Sequence, residues 1–371
     1  MESAALWAGY GSAMERTPRG RRPATLASLA AELGVSRTTV SNAYNRPDQL
    51  SPQLRARVLE TAQRLGYPGP DPMARSLRTR RTGAVGVLLT EQLSYAFRDP
   101  AAVNFLEGLT LECDKAGTGL LLVPANPEAE DVAAVSSAAV DGFVAFSMPD
   151  DDPHLKAVLA RALPTVVCDQ PDVPGVDIVG IDDGAAMREI AQHLLTLGHR
   201  RVGVICMRLG RIRLDGPVDL SRQESAHYHV QRHRLRALRD SFEAAGIAWD
   251  RIPVVERFDH TIEAGASAAG ELLGLDPGLT AIIATSDVLA LGAMRALERR
   301  RQRVPEDVSV TGFDGIRSAL DAKLTTVDQP VVDKGRHAAR LLLDPSPSSR
   351  QRRVTVPTTF VLGATTGPPR L

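Results

Sequence analysis

Arg37, Thr38, Ser41 and Asn42 have the residue types and the helical spacing to read base-pair edges. Arginine donates paired hydrogen bonds to guanine, asparagine both donates to and accepts from adenine, and hydroxyls reach either bases or backbone. Such reading requires that the four groups share one face of an element whose other face is held by packing. Val35, Val40 and Tyr44 provide that packing side on a short helix, and Ser36 stands where an N-cap accepts a backbone hydrogen bond. A solvated helix face is the competing reading of the same pattern, and the preceding turn and the basic surroundings weigh against it.

The reading helix needs neighbours. Leu26, Leu29, Ala30 and Leu33 recur at three- and four-residue intervals from Thr25, giving a first helix that Gly34 ends. Ser51 caps and Pro52 opens a third helix, in which Leu54, Val58, Ala62 and Leu65 repeat before Gly66. Two short helices joined at a glycine turn make a helix-turn-helix pattern. None of the three carries enough apolar surface to be stable alone, so mutual packing is required. Charge points the same way: residues 16–81 hold 13 arginines, no lysine and four acids, a net +9, whereas residues 83–371 hold 31 basic and 38 acidic residues, a net −7. The chain is neutral overall, yet its positive charge is concentrated at the front, where phosphate attracts it.

Pro68-Gly-Pro-Asp-Pro72 excludes a continuous helix, and a short helical run over 73–78 follows. Beyond Gly83, apolar runs at 85–89, 119–123, 142–146, 164–168, 201–205, 281–284 and 308–312 read as strands, with helices over 102–116, 185–197 and 288–300. This alternation predicts two parallel-sheet lobes with helices on both faces. Ligands in such folds bind outside the carboxyl ends of the strands, which makes the cleft between lobes the expected small-molecule site. Residues 207–229 read as a long polar loop. His227, His229 and His233 have no carboxylate or cysteine at a convincing ligand spacing, so they read as surface imidazoles, and no metal or cofactor is expected. Cys113, Cys168 and Cys206 are far apart and read as buried thiols in a reducing cytosol. No apolar run reaches membrane-spanning length and residues 1–15 lack the order of an export signal, so a cytoplasmic protein is expected.

Residues 25–45, with Gly34-Val-Ser36 and Thr39-Val-Ser41 at the turn and the helix start, resemble the DNA-binding opening of the lactose-repressor family of bacterial transcriptional regulators. Leu65-Gly-Tyr67, Ala74-Arg-Ser-Leu77, Val179-Gly-Ile-Asp-Asp183, Leu197-Gly-His-Arg-Arg201, Ser286-Asp287 and the run from Val304 to Asp314 extend the resemblance to nearly everything from residue 24 onward. Ala43 and Tyr44 depart from the family's usual choices. The resemblance implies a three-helix helix-turn-helix headpiece, a short hinge and a two-lobed α/β sensor module like the periplasmic binding proteins. The expected boundaries are a flexible basic arm at 1–23, a DNA-binding domain at 24–67, a hinge at 68–82 and an effector-binding and dimerisation domain at 83–371. Lobe one maps to about 83–181 and 329–354, lobe two to about 182–328 and 355–366. Arg37, Thr38 and Asn42 then become base-reading candidates, with Thr25, Ser36, Thr39, Ser41 and Asn45 as phosphate contacts or supports. Ala74 would permit close approach in the hinge, and Leu77 would wedge into the minor groove of a bent duplex. Arg234, before the ligand-facing helix, and Asp314 become effector contacts, with Arg232 as an alternative to Arg234. Ser286, Asp287 and Phe97, the last as a flat apolar wall, are their companions.

The reading that joins these observations is a homodimeric regulator, most simply a repressor. It would bind pseudo-palindromic double-stranded operator DNA under control of a small effector, with a sugar or related polyhydroxylated metabolite as the class implied. A metabolite-converting enzyme and a small-molecule receptor without DNA binding are the alternatives. Against the enzyme, the chain has no dinucleotide or phosphate-binding glycine loop, nucleophile elbow or zinc-protease helix. The basic headpiece and the missing export signal count against the receptor.

Overall fold

Side-chain caps begin each of the three α-helices described between Leu26 and Leu65. Thr25 accepts from the Ser28 amide to start α1 (Leu26–Leu33), Ser36 accepts from Thr39 to start α2 (Arg37–Asn45), and Ser51 accepts from Leu54 to start α3 (Pro52–Leu65). Gly34, at φ 65°, makes the left-handed turn between α1 and α2, a conformation that costs glycine nothing. Leu29, Ala30, Val40, Ala43, Val58 and Ala62 form the small core where the helices meet. Ala43 is fully buried there, and Tyr44 packs edge-on against Tyr67 with ring centres 6.0 Å apart.

The computed structural model describes residues 24–69, 79, 81–89, 93–125, 130–344 and 351–370. The basic arm at 1–23 and the hinge helix at 73–78, with Ala74 and Leu77, lie outside these residues. The chain divides into two compact units, Met1–Arg81 and Thr82–Leu371.

The second unit contains two sheets. In the first, β1 (Ala84–Leu89), β2 (Gly119–Pro124), β3 (Gly142–Phe146), β4 (Thr165–Cys168), β5 (Asp177–Gly180) and β12 (Arg353–Thr355) lie in the order β12-β5-β4-β3-β1-β2, all parallel. One face is covered by α4 (Pro100–Ala116) and α13 (Val331–Leu343), through Phe105, Leu109, Ala338 and Leu342. The other is covered by α5 (Ala133–Ser137) and α6 (Pro153–Ala160), through Val135, Leu155 and Val158. Helices α4 and α13 approach backbone to backbone: a Cβ on Gly108 would strike the Val332 carbonyl, and one on Gly335 the Phe105 carbonyl.

The second sheet joins β6 (Val202–Met207), β7 (Gly216–Pro217), β8 (Val254–Arg257), β9 (Ala281–Ala284) and β10 (Ser309–Thr311) in the order β10-β9-β6-β8-β7, with only β7 antiparallel to its neighbour. Helices α7 (Asp183–Leu197) and α9 (His229–Ala244) cover one face; α10 (Ile262–Leu275) and α11 (Asp287–Arg299), with the short α12 (Arg317–Asp321), cover the other. The chain crosses between the sheets after β5, returns between β11 (Thr326–Asp328) and α13, and crosses again between β12 and β13 (Thr359–Val361), which pairs antiparallel with β11.

Two readings of the sequence need correction. Residues 207–229 are not one loop, since β7 and the short helix α8 (Leu220–Glu224) lie within them; Asp219 caps α8 and Trp249 fixes Gln223 by donating to its side chain. Arg234 does not precede its helix but sits inside α9. All three cysteines are buried and unpaired.

Candidate functional site

The headpiece separates its polar side chains by use. Val40 and Ala43 turn α2 into the core, while Arg37 and Thr38 are exposed and have no side-chain partner among the described residues. The other proposed contacts are engaged within the headpiece. Thr25 exchanges hydrogen bonds with Ser28, and the Ser36 hydroxyl lies 2.9 Å from that of Thr39. Asn45 donates to both the backbone oxygen and the hydroxyl of Ser41. Asn42 donates to Gln49 at 3.1 Å. Arg37 and Thr38 thus project from a frame the other side chains stiffen.

In the second unit, a cavity opens between the carboxyl ends of the two sheets. Lobe one contributes Asp99, Phe146, Asp169 and Gln170; lobe two contributes Arg208, Tyr228, Arg234, His260 and Asp314; Gln329 and Lys334 come from the second crossover and the start of α13. Arg234 is buried, donates from Nε to Asp183 at 2.8 Å and from Nη1 to the Thr285 carbonyl at 2.7 Å, and lies 3.6 Å over the Phe313 ring. Burial raises the Asp183 carboxyl, with the Arg234 charge opposing. Asp314 has φ 128° and accepts from Gln329 at 2.6 Å. Burial pushes its carboxyl well above the usual range, again against Arg234. His260 lies 3.7 Å from Asp99, and burial lowers its imidazole. The lobes also touch beside the cavity: Gln170 accepts from the Val230 amide at 2.8 Å, and His229 Nε2 lies 3.1 Å from the Asp169 carbonyl.

The five proposed effector residues therefore do not share one position. Arg234 and Asp314 line the cavity. Ser286 and Asp287 do not: Ser286 caps α11 and bonds His260 at 2.8 Å, and Asp287 accepts from Thr326 at 2.6 Å and from the Ile316 amide at 2.9 Å. Burial pushes Asp287 up to about 6, with those bonds opposing. Phe97 is 69% exposed and also lies outside the lining, because the turn Leu93–Phe97 points Ala96 inward and its neighbour out. Phe146 and Tyr228 supply the rings instead. Arg232 turns away from the cavity, bonding the Ala226 carbonyl and facing Asp150. Lys334, Asp169 and Gln329 went unnoticed in the sequence; the signal available was a lysine at the helical spacing of the inward positions Val331, Ala338 and Leu342 of α13. His227 pairs with Asp151 at 2.9 Å, and among the described residues no three His, Cys, Asp or Glu side chains converge to hold a metal.

Residues 191–366 match the model of the periplasmic binding protein-like domain. An HTH-type transcriptional regulator of Mycolicibacterium smegmatis is 52% identical over 365 residues, covering 96% of this chain and all of the relative. Among solved structures, a transcriptional regulator of the LacI family from Corynebacterium glutamicum is similar at TM-score 0.72 and 41% identity, covering 93% of this chain and 99% of that one. The transcriptional regulator CelR in complex with cellobiose is similar at TM-score 0.66 and 29% identity, covering 92% and 99%. With three-helix headpiece, two-lobed module and full-length relatives in agreement, the chain belongs to the lactose-repressor family of helix-turn-helix transcriptional regulators.

Proposed function

We propose that the protein is a cytoplasmic, non-enzymatic repressor that binds a pseudo-palindromic operator as a homodimer and releases or tightens its hold when a small polyhydroxylated effector occupies the interlobe cavity. The observation that carries this reading is α2, whose buried Val40 and Ala43 leave Arg37 and Thr38 unengaged on the opposite face. Arg37 reads a guanine edge in the major groove, Thr38 and Asn42 contact adjacent bases, and Thr25, Ser36, Thr39, Ser41 and Asn45 hold the backbone or the helix that approaches it. In the hinge, Ala74 and Leu77 take the close-approach and wedge roles.

Arg234 and Asp314 contact the effector directly, while Ser286 and Asp287 support the wall behind them. The cellobiose complex of a related regulator supports a carbohydrate-like ligand. An effector that favours one lobe arrangement is linked to DNA by a single coupling energy, so whatever it does to operator affinity the operator does to its own. The absence of a membrane-length apolar helix among the described residues fits this assignment. Selection of duplexes from a random pool, with and without candidate metabolites, tests it: a recovered palindrome whose affinity changes with one metabolite is expected, and no preferred duplex under any condition would overturn it.

A further inference from the structure

The charges around the cavity are already matched within the protein, which bears on the molecule it holds; the inference rests on the effector reading above. On lobe one, Lys334 is 1% exposed and donates at 2.8 Å to each carboxylate oxygen of Asp169 and to the Gln329 side chain. Gln329 passes the chain of hydrogen bonds to Asp314 on lobe two. There Arg234 is 4% exposed and held by Asp183. Arg208 stacks over the Tyr228 and Phe258 rings. Setting aside Asp314, whose carboxyl burial pushes up, the carboxylates of Asp99, Asp169 and Asp183 match the three cations of Arg208, Arg234 and Lys334.

A phosphate or carboxylate would bring negative charge into a site with no surplus of positive charge. It could reach Lys334, whose three donors are all engaged, only by displacing Asp169 or Gln329, and a displaced Asp169 would then be a buried carboxylate without a partner. A hydroxyl behaves differently, because it donates to a carboxylate while accepting from a guanidinium donor of Arg234, or from Lys334 in place of Gln329, and so joins an existing ion pair without separating it. The Phe146 ring, 6.0 Å from the Lys334 ammonium, adds an apolar face for carbon-bound hydrogens. We propose that the cavity selects an uncharged polyhydroxylated molecule over its phosphorylated or carboxylated form, and that the buried Lys334–Asp169 pair sets this selection.

The test is calorimetric titration of the full-length protein with pentoses, hexoses and cyclic polyols, each beside its own monophosphate. One uncharged member is expected to bind, with its monophosphate weaker by at least about tenfold. Asp169→Asn leaves Lys334 without its counter-charge and moves that ratio about tenfold toward the monophosphate. Lys334→Met leaves Asp169 uncompensated, weakens the uncharged ligand and admits no phosphate. The variants push in opposite directions, so whichever folds with a native circular dichroism spectrum decides the matter. A monophosphate that binds wild type as tightly as its parent, binding of no panel member, or an unmoved ratio in a folded variant overturns the proposal. Duplex selection on the same preparations separates the two failures. A protein that selects a duplex but prefers monophosphates keeps the regulator reading and loses the selectivity; one with the expected ratio and no preferred duplex does the reverse.

Discussion

Single residues in the headpiece divide into those that build the reading helix and those that it displays, and substitution separates the two. Arg37 has no partner among the described residues, so Arg37→Ala is expected to leave thermal stability unchanged while relaxing preference at one operator position by about 1–3 kcal/mol, measured against a set of singly substituted duplexes. Ser36→Ala removes the cap of α2 and is expected to cost about 1 kcal/mol of headpiece stability in urea unfolding, with affinity falling equally for all duplexes. Asp287 makes a prediction about pH. Its folded-state pKa of about 6 lies above the ordinary carboxylate value, so the native state binds the proton more tightly than the unfolded chain does. The ionised group therefore opposes folding, fully above pH 6 and hardly at all below the ordinary carboxylate pKa. Denaturant titrations should accordingly show wild-type stability, relative to Asp287→Asn, declining as pH rises through this interval and flat beyond it.

At the scale of elements, α4 and α13 depend on two glycines that let their backbones touch. Gly335→Ala forces the helices apart and is expected to destabilise the sensor module by about 1–3 kcal/mol, read as a lowered melting temperature, because an overpacked contact must be relieved by backbone movement. The strands and helices with strong periodicity were legible without a structure: Val85–Leu89, Gly142–Phe146 and the helix after Asp287 lie where their apolar spacing puts them. The headpiece was legible because its caps, glycine turns and core positions are all local. Other features escaped for a physical reason. Lys334 is buried against Asp169, 165 positions away, and no local pattern records such a pair. Phe97 is apolar, yet the turn that carries it gives the inward position to Ala96. Asp287 was expected beside the effector from the resemblance alone, but its hydrogen-bond partners belong to its own lobe.

The molecule as a whole consists of two compact units, and a ligand confined to one should report on that one. A saturating effector at about a hundred times its dissociation constant is expected to add about 2.7 kcal/mol to the sensor module. In calorimetry this raises the module transition and leaves the headpiece transition in place; a shift of both together would show that they unfold cooperatively. The path of the chain through the module has a further consequence for its birth on the ribosome. Lobe one begins with β1, but α13 and β12, which seal one face and one edge of its sheet, are translated only after nearly all of lobe two. The lobe begun first is thus closed after its partner, and until then its nascent sheet keeps the surface beneath α13 uncovered, where a chaperone or a neighbouring polysome product would meet it.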